Sequence, residues 1–197
     1  MRPPLHRDRE LRELAEGALR HEVVTLCDQV HAIIGWPVLG GAAGRAGHDA
    51  LLEAPLLHLR VLDDFLGTPP LGDEVIGAEH YLPGRSLAPV LSRQERLEVD
   101  AVLQLGRPRR PLRTWDHAGI ALRTCEAFLG FVQHLERHPE PQVAARAAWF
   151  GASRVAAHDF VIALRNPTHV ISLDDEDPAD VRPWTVTLAG APERSHG

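Results

Sequence analysis

The sequence predicts an all-α fold: a bundle of about five helices, with a small C-terminal β-hairpin or extended tail. Three observations point to it. Apolar residues recur at three- and four-residue spacing over most of residues 1–165. Segments rich in Pro and Gly separate those stretches. Strand-like alternation appears only near the end, in "HVISL" and "WTVTL", on either side of the acidic turn "DDEDPADVRP". The chain therefore divides into a helical bundle domain, residues 1–165, and a tail, residues 166–197.

The elements follow in order. Pro3 and Pro4 suit the first turn of a helix. From Asp8 the pattern is helical, and Leu19, Val23, Leu26, Val30 and Ile33 form one apolar stripe. Gly35, Trp36 and Pro37 end it, and "VLGGAAGRAG" reads as a flexible loop. A second helix is expected from about His48 to Leu66, stopped by Gly67-Thr-Pro-Pro70. Residues 67–91 read as a long irregular loop. Ser92-Arg-Gln-Glu95 is a capping box that opens a third helix. A fourth helix begins near Thr114, with a stripe of Ala118, Ala121, Cys125, Phe128, Val132 and Leu135. A fifth follows Pro139-Glu-Pro141 and runs to about Arg165.

Composition narrows the function classes. A chain of 197 residues hides about 70% of its unfolded surface in a single domain. No apolar run reaches the ~18 residues needed to cross a bilayer, and the charged N-terminus carries no signal-peptide pattern. A cytoplasmic protein without membrane contact is the expectation. The net charge of −6 gives no footprint for broad nucleic-acid binding. All 21 basic residues are Arg, and several cluster in "GRPRRPLR", which leaves room for one local patch. Cys27 and Cys125 are expected to be reduced, buried thiols.

The stretch "ALLEAPLLHLRVLDDFL", residues 50–66, is strongly apolar yet carries His58, Arg60, Asp63 and Asp64 in its middle and Pro55 inside the helix. Positions 51, 55, 58, 62 and 65 share one helix face, and 52, 56, 59, 62 and 66 an adjacent one. His58 thus sits at the edge of the core, where it needs a hydrogen-bond partner. Arg60 stands over Asp63 and Asp64, within intrahelical pairing distance.

This helix resembles one in a group of bacterial helical proteins akin to the HEPN superfamily. The shared residues are Ala50, Leu51, Leu52, Glu53, His58, Arg60, Leu62, Asp64 and Phe65. The following "GDEVIGAEHYLPG" is similar to that group's acidic loop through Asp73, Glu74, Val75, Ala78, Glu79 and Tyr81. The resemblance implies a helical bundle, often dimeric, with the His-x-Arg helix at its centre. For the wider superfamily it implies RNA cleavage or RNA binding, through an Arg followed four to six residues later by a His. It also sets the expectation that His58 and Arg60 bond to Asp73, Glu74 or Glu79. Two departures stand out. Pro55 replaces an aromatic residue and should bend the helix or lie in its first turns. Gln104 stands where the group carries a His, and Gln cannot shuttle a proton.

Other candidates are weaker. Arg110 and His117 have the loose superfamily spacing of a catalytic dyad, across Pro111. Arg109 and Arg113 could meet phosphates alongside them. His58, Glu79, His80, His117 and His158 could meet across helices as metal ligands, but no Glu-x-x-His pair lies on any helix and no cysteine cluster is present, so neither a metal nor another cofactor is expected. "LGGAAGRAG" lacks the preceding strand and the Lys-Ser/Thr of a phosphate loop. Four Trp in a chain poor in other aromatics suggest an interface, and a homodimer is expected. The reading is a HEPN-like module that binds protein or RNA without efficient catalysis. The alternatives are a metal-independent RNase using Arg and His, and a metal-dependent helical enzyme.

Overall fold

The computed structural model describes residues 5–35, 41–67, 76–85, 87–103 and 116–166, and those residues are helical with short connections. The chain opens with α1 (Leu5–Leu14), which passes through one π-helical turn (Ala15–Leu19) into α2 (Arg20–Gly35). Then come α3 (Gly41–Gly67), the short α4 (Ala78–Tyr81) and α5 (Arg93–Leu103). The C-terminal half holds α6 (His117–Glu136), α7 (Pro141–Ala144), a 3-10 segment (Ala145–Phe150) and α8 (Gly151–Arg165). The all-α bundle stands. The hairpin expected after residue 166 lies outside the described residues.

The stripes read from the sequence are the ones that bury. Leu19, Val23, Leu26 and Val30 on α2 are closed to solvent, as are Ala121, Cys125, Phe128, Val132 and Leu135 on α6. The core fills the space among α2, α3, α6 and α8. Each large aliphatic or aromatic side chain fully buried there stabilises by about 1.5–3 kcal/mol relative to exposure. At one end, Tyr81 of α4 is completely buried among Phe65, Phe131, Phe150 and Trp149, with ring centroids 5.1–6.5 Å away. These rings meet edge to face, the arrangement their quadrupoles favour.

The second helix starts earlier than its pattern suggested. The expected loop "VLGGAAGRAG" is helical from Gly41 onward. Ala42, Ala43 and Ala46 are strong helix formers, and extending an existing helix backward needs no new nucleus. That offsets the glycines, each unfavourable by about 1 kcal/mol relative to Ala. Pro55 consequently lies deep inside α3 and not in its first turns. The stop at Gly67 is as read, for a steric reason. A Cβ there would run into the backbone of Pro89, so the chain leaving α3 can be crossed closely by the segment that leads into α5. The proposed irregular loop of residues 67–91 contains α4, which the stop signals around it had masked.

Candidate functional site

α3 carries the polar residues that the sequence singles out, and two neighbouring helices each bring partners to them. α2 lies along one side. His58 Nδ1 is 2.6 Å from Glu22 Oε2, and both side chains are mostly buried. The ring of His21 stands nearly perpendicular to that of His58, centroids 5.9 Å apart. Thr25, one turn beyond His21, has its hydroxyl 3.4 Å from His21 Nδ1. A carboxylate on Nδ1 fixes the orientation of an imidazole. No Ser, Thr or Cys nucleophile is hydrogen-bonded to the His58 ring among the described residues.

α5 lies along the other side and closes a belt of charge. Arg60 Nε donates to Asp100 Oδ1 at 2.8 Å, and its guanidinium also pairs with Asp64 one turn along α3. Burial works against the Arg60 charge, and the hydrogen bonds to Asp64 and Asp100 more than offset it, holding the guanidinium above its ordinary pKa. Arg96 of α5 pairs with Asp63 and lies 3.3 Å from Asp64. Asp63 is completely buried, and its Oδ1 accepts from the backbone N–H groups of Val90 (2.7 Å) and Leu91 (2.9 Å). Asp63 therefore caps the turn that delivers the chain into α5 and also anchors α5 itself.

Of the loop partners expected for His58 and Arg60, only Glu79 lies among the described residues. Glu79, on α4, is half-buried and bonds to neither. Asp73 and Glu74 lie outside the described residues. Helices packed side by side along α3 place Glu22 and Asp100 against it directly, so the loop is not needed to supply carboxylates. The short helix α4 is tied down elsewhere. Tyr81 Oη donates to the Leu11 carbonyl at 2.7 Å. Burial pushes the Tyr81 phenol up, although the charge of Arg146 pulls the other way. Arg146, 5% exposed, donates to the carbonyls of His80 (3.0 Å) and Tyr81 (3.1 Å) and to Asp8 (2.7 Å). Its guanidinium also lies 6.0 Å from the centroid of Trp149, within cation–π range.

The other candidates are scattered. His117 opens α6 and is buried there, beside the helix cap in which Asp116 accepts from the Gly119 N–H at 2.7 Å. Arg110, Arg109, Arg113 and Gln104 lie outside the described residues, so the Arg110/His117 pair does too. His80 Nδ1 accepts from the Gly77 N–H at 3.1 Å, and exposed His158 has Asp159 at 3.5 Å. Among the described residues no three His, Cys, Asp or Glu side chains are grouped to hold a metal ion. Nor is any described helix long and apolar enough to cross a membrane.

Glu22, Arg96, Asp100 and Arg146 are the residues that sequence reasoning missed. Only Arg96 and Asp100 carried a signal: four apart on a short helix, they share the face that also carries buried Val99, three residues from Arg96, so both lie close to the core. The capping box itself is present. Ser92 N–H donates to Glu95 Oε2 at 2.7 Å, and Glu95 N–H donates to Ser92 Oγ at 3.2 Å. Arg123 of α6 reaches Glu95 at 2.6 Å.

This arrangement predicts an acid-side effect. Burial pushes the Glu95 carboxyl up, but the Ser92 groups and the Arg123 guanidinium reverse that and hold it below the usual carboxylate range. A lowered folded-state pKa means that the stabilisation is complete above the unfolded value of about 4.3 and is lost as pH falls through the lower folded value. Glu95→Ala is expected to cost about 1 kcal/mol at pH 7, with the difference from wild type shrinking toward pH 3. Urea unfolding at the two pH values checks it; a difference independent of pH would show that the Glu95 charge plays no part.

Fold and site together define a class: an all-α bundle whose central helix is locked on both sides by buried or half-buried polar pairs. Compared with protein-family models, curated proteins and solved structures, the chain matches none of them.

Proposed function

We propose that this chain is a HEPN-like interaction module that binds a macromolecular partner, preferably a protein, without efficient catalysis. The observation that carries this reading is the way the polar residues of α3 are engaged. Glu22 holds His58, Asp64 and Asp100 hold Arg60, and Asp63 is taken by Arg96 and two backbone N–H groups. A general acid or base must present its titrating atom to substrate. Here the polar groups of the helix serve to set the positions of α2, α3 and α5. On the outer side of the same helix Leu57 and Val61, one turn apart, are 52% and 37% exposed, and Leu97 of α5 is 56% exposed. Apolar side chains displayed on a rigid frame suit a protein surface better than a phosphate backbone. A second copy of the chain is the first partner to test.

Two measurements decide the matter. Light scattering at micromolar concentration should return about twice the chain mass of 21.7 kDa. Single-turnover incubation with structured and unstructured RNA should show no cleavage by wild type. Robust cleavage that His117→Ala abolishes would replace this reading with the RNase. Salt-sensitive RNA binding lost on substitution of Arg109, Arg110 and Arg113 would make RNA the partner.

A further inference from the structure

We propose that Cys27 and Cys125 form a modification site: a buried dithiol that a small hydroperoxide converts to an intramolecular disulfide between α2 and α6. The two residues are 98 positions apart in the chain, yet their sulfurs are 3.8 Å apart, in contact, and both are free thiols. Cys27 is 4% exposed and Cys125 1%. Their helices pack directly against one another. A disulfide needs the sulfurs at ~2.05 Å, a closure within reach of side-chain rotation and small helix adjustment. The hydrogen bonds around the pair also give the two sulfurs different roles. Cys27 Sγ is 3.9 Å from the Ala156 carbonyl of α8, to which it donates, so the Cys125 thiol is left to donate to the Cys27 sulfur. That hydrogen bond, together with burial, pushes the Cys125 thiol far up. Cys27 is therefore the sulfur that reacts with the peroxide first.

The chemistry closes without any further reagent. The Cys27 sulfur attacks one oxygen of hydrogen peroxide, and its proton passes to the other oxygen. The O–O bond breaks and water departs, leaving Cys27 as a sulfenic acid. The Cys125 sulfur then attacks the Cys27 sulfur; the S–S bond forms, the S–O bond breaks, and a second water carries away the Cys125 proton. Two thiols are oxidised by two electrons and one peroxide is reduced to two waters. Only a small oxidant suits the site, because neither sulfur is open to a bulky disulfide donor. The apolar walls exclude competing thiols, so the neighbouring cysteine is the available resolving group.

The test uses the full chain, purified reduced and treated with hydrogen peroxide at a dose that oxidises a free-cysteine peptide alongside. After catalase, the chain is denatured and alkylated with N-ethylmaleimide. The expected result is a mass 2 Da below the reduced chain with no adduct, a balance of two hydrogens lost. Digestion after Arg should join peptides 21–45 and 124–137. Closing so long a loop should raise Tm by at least ~5 °C, reversibly with dithiothreitol. Cys125→Ala should stop at the Cys27 sulfenic acid, trapped by dimedone as a single adduct, and show no rise in Tm with peroxide. Two adducts per chain after peroxide, a chain-to-chain disulfide, or sulfinic acid on either cysteine would each overturn the proposal.

Discussion

Replacing Asp63 by Ala should lower the stability of the folded chain by about 3–5 kcal/mol, the range for breaking a buried ion pair and orphaning its partners. For a chain of this size that corresponds to a drop in Tm of roughly 10 °C. The effect is large because one carboxylate answers three donors. Its loss strands the N–H groups of Val90 and Leu91 and leaves Arg96 without its buried partner. Asp63→Asn separates the contributions. The amide oxygen can still accept from the backbone while the charge is gone, so about half of the loss should return. Urea unfolding of the three chains reads it, and a cost for Asp63→Ala under about 1 kcal/mol would remove Asp63 from its structural role.

Arg146→Ala ranks close behind, with an expected cost of about 3 kcal/mol or more. This buried guanidinium joins two helices at one end of the bundle: it fixes α4 through two carbonyls and α1 through Asp8. Truncation buries both carbonyls without a donor. Asp8→Ala should cost less, about 1 kcal/mol, because Asp8 is itself half open to water. Hydrogen exchange adds a spatial check: Arg146→Ala should speed exchange in α1 and α4 while the middles of α6 and α8 remain slow. Equal acceleration along the whole chain would mean that Arg146 acts on global stability alone.

Much of this architecture is legible from spacing. Residues four apart on a helix settle which side chains share a face, so the α2 and α6 stripes and the Arg60–Asp64 pair can be read before any fold is known. The capping box at Ser92 is equally local. What spacing does not contain is the rotation of one helix against its neighbour. Glu22 and His58 are 36 residues apart, and Arg60 and Asp100 are 40 apart. Either carboxylate could as well have come from the loop that follows α3, and the acidic loop drew the eye for that reason. Arg146 sits in "AARAAWFG", where nothing in the local pattern separates a buried guanidinium from an exposed one. The glycines at 41, 44 and 47 concealed a helix because their cost is local, whereas the support for it comes from the rest of α3.

The ties around α1 also set a timetable. The Leu11 carbonyl waits for Tyr81, 70 residues later, and Asp8 waits for Arg146, 138 residues later. At a synthesis rate of about 5–20 residues per second, Arg146 leaves the peptidyl-transfer centre roughly 7–28 s after Asp8. During that interval the apolar side of α1, with Leu11 and Ala15 bound for the interior, lacks the Arg146 tie that completes its docking. α1 is therefore secured long after it is made, and until the Arg146 segment follows, the nascent chain carries an apolar edge on which a chaperone could act.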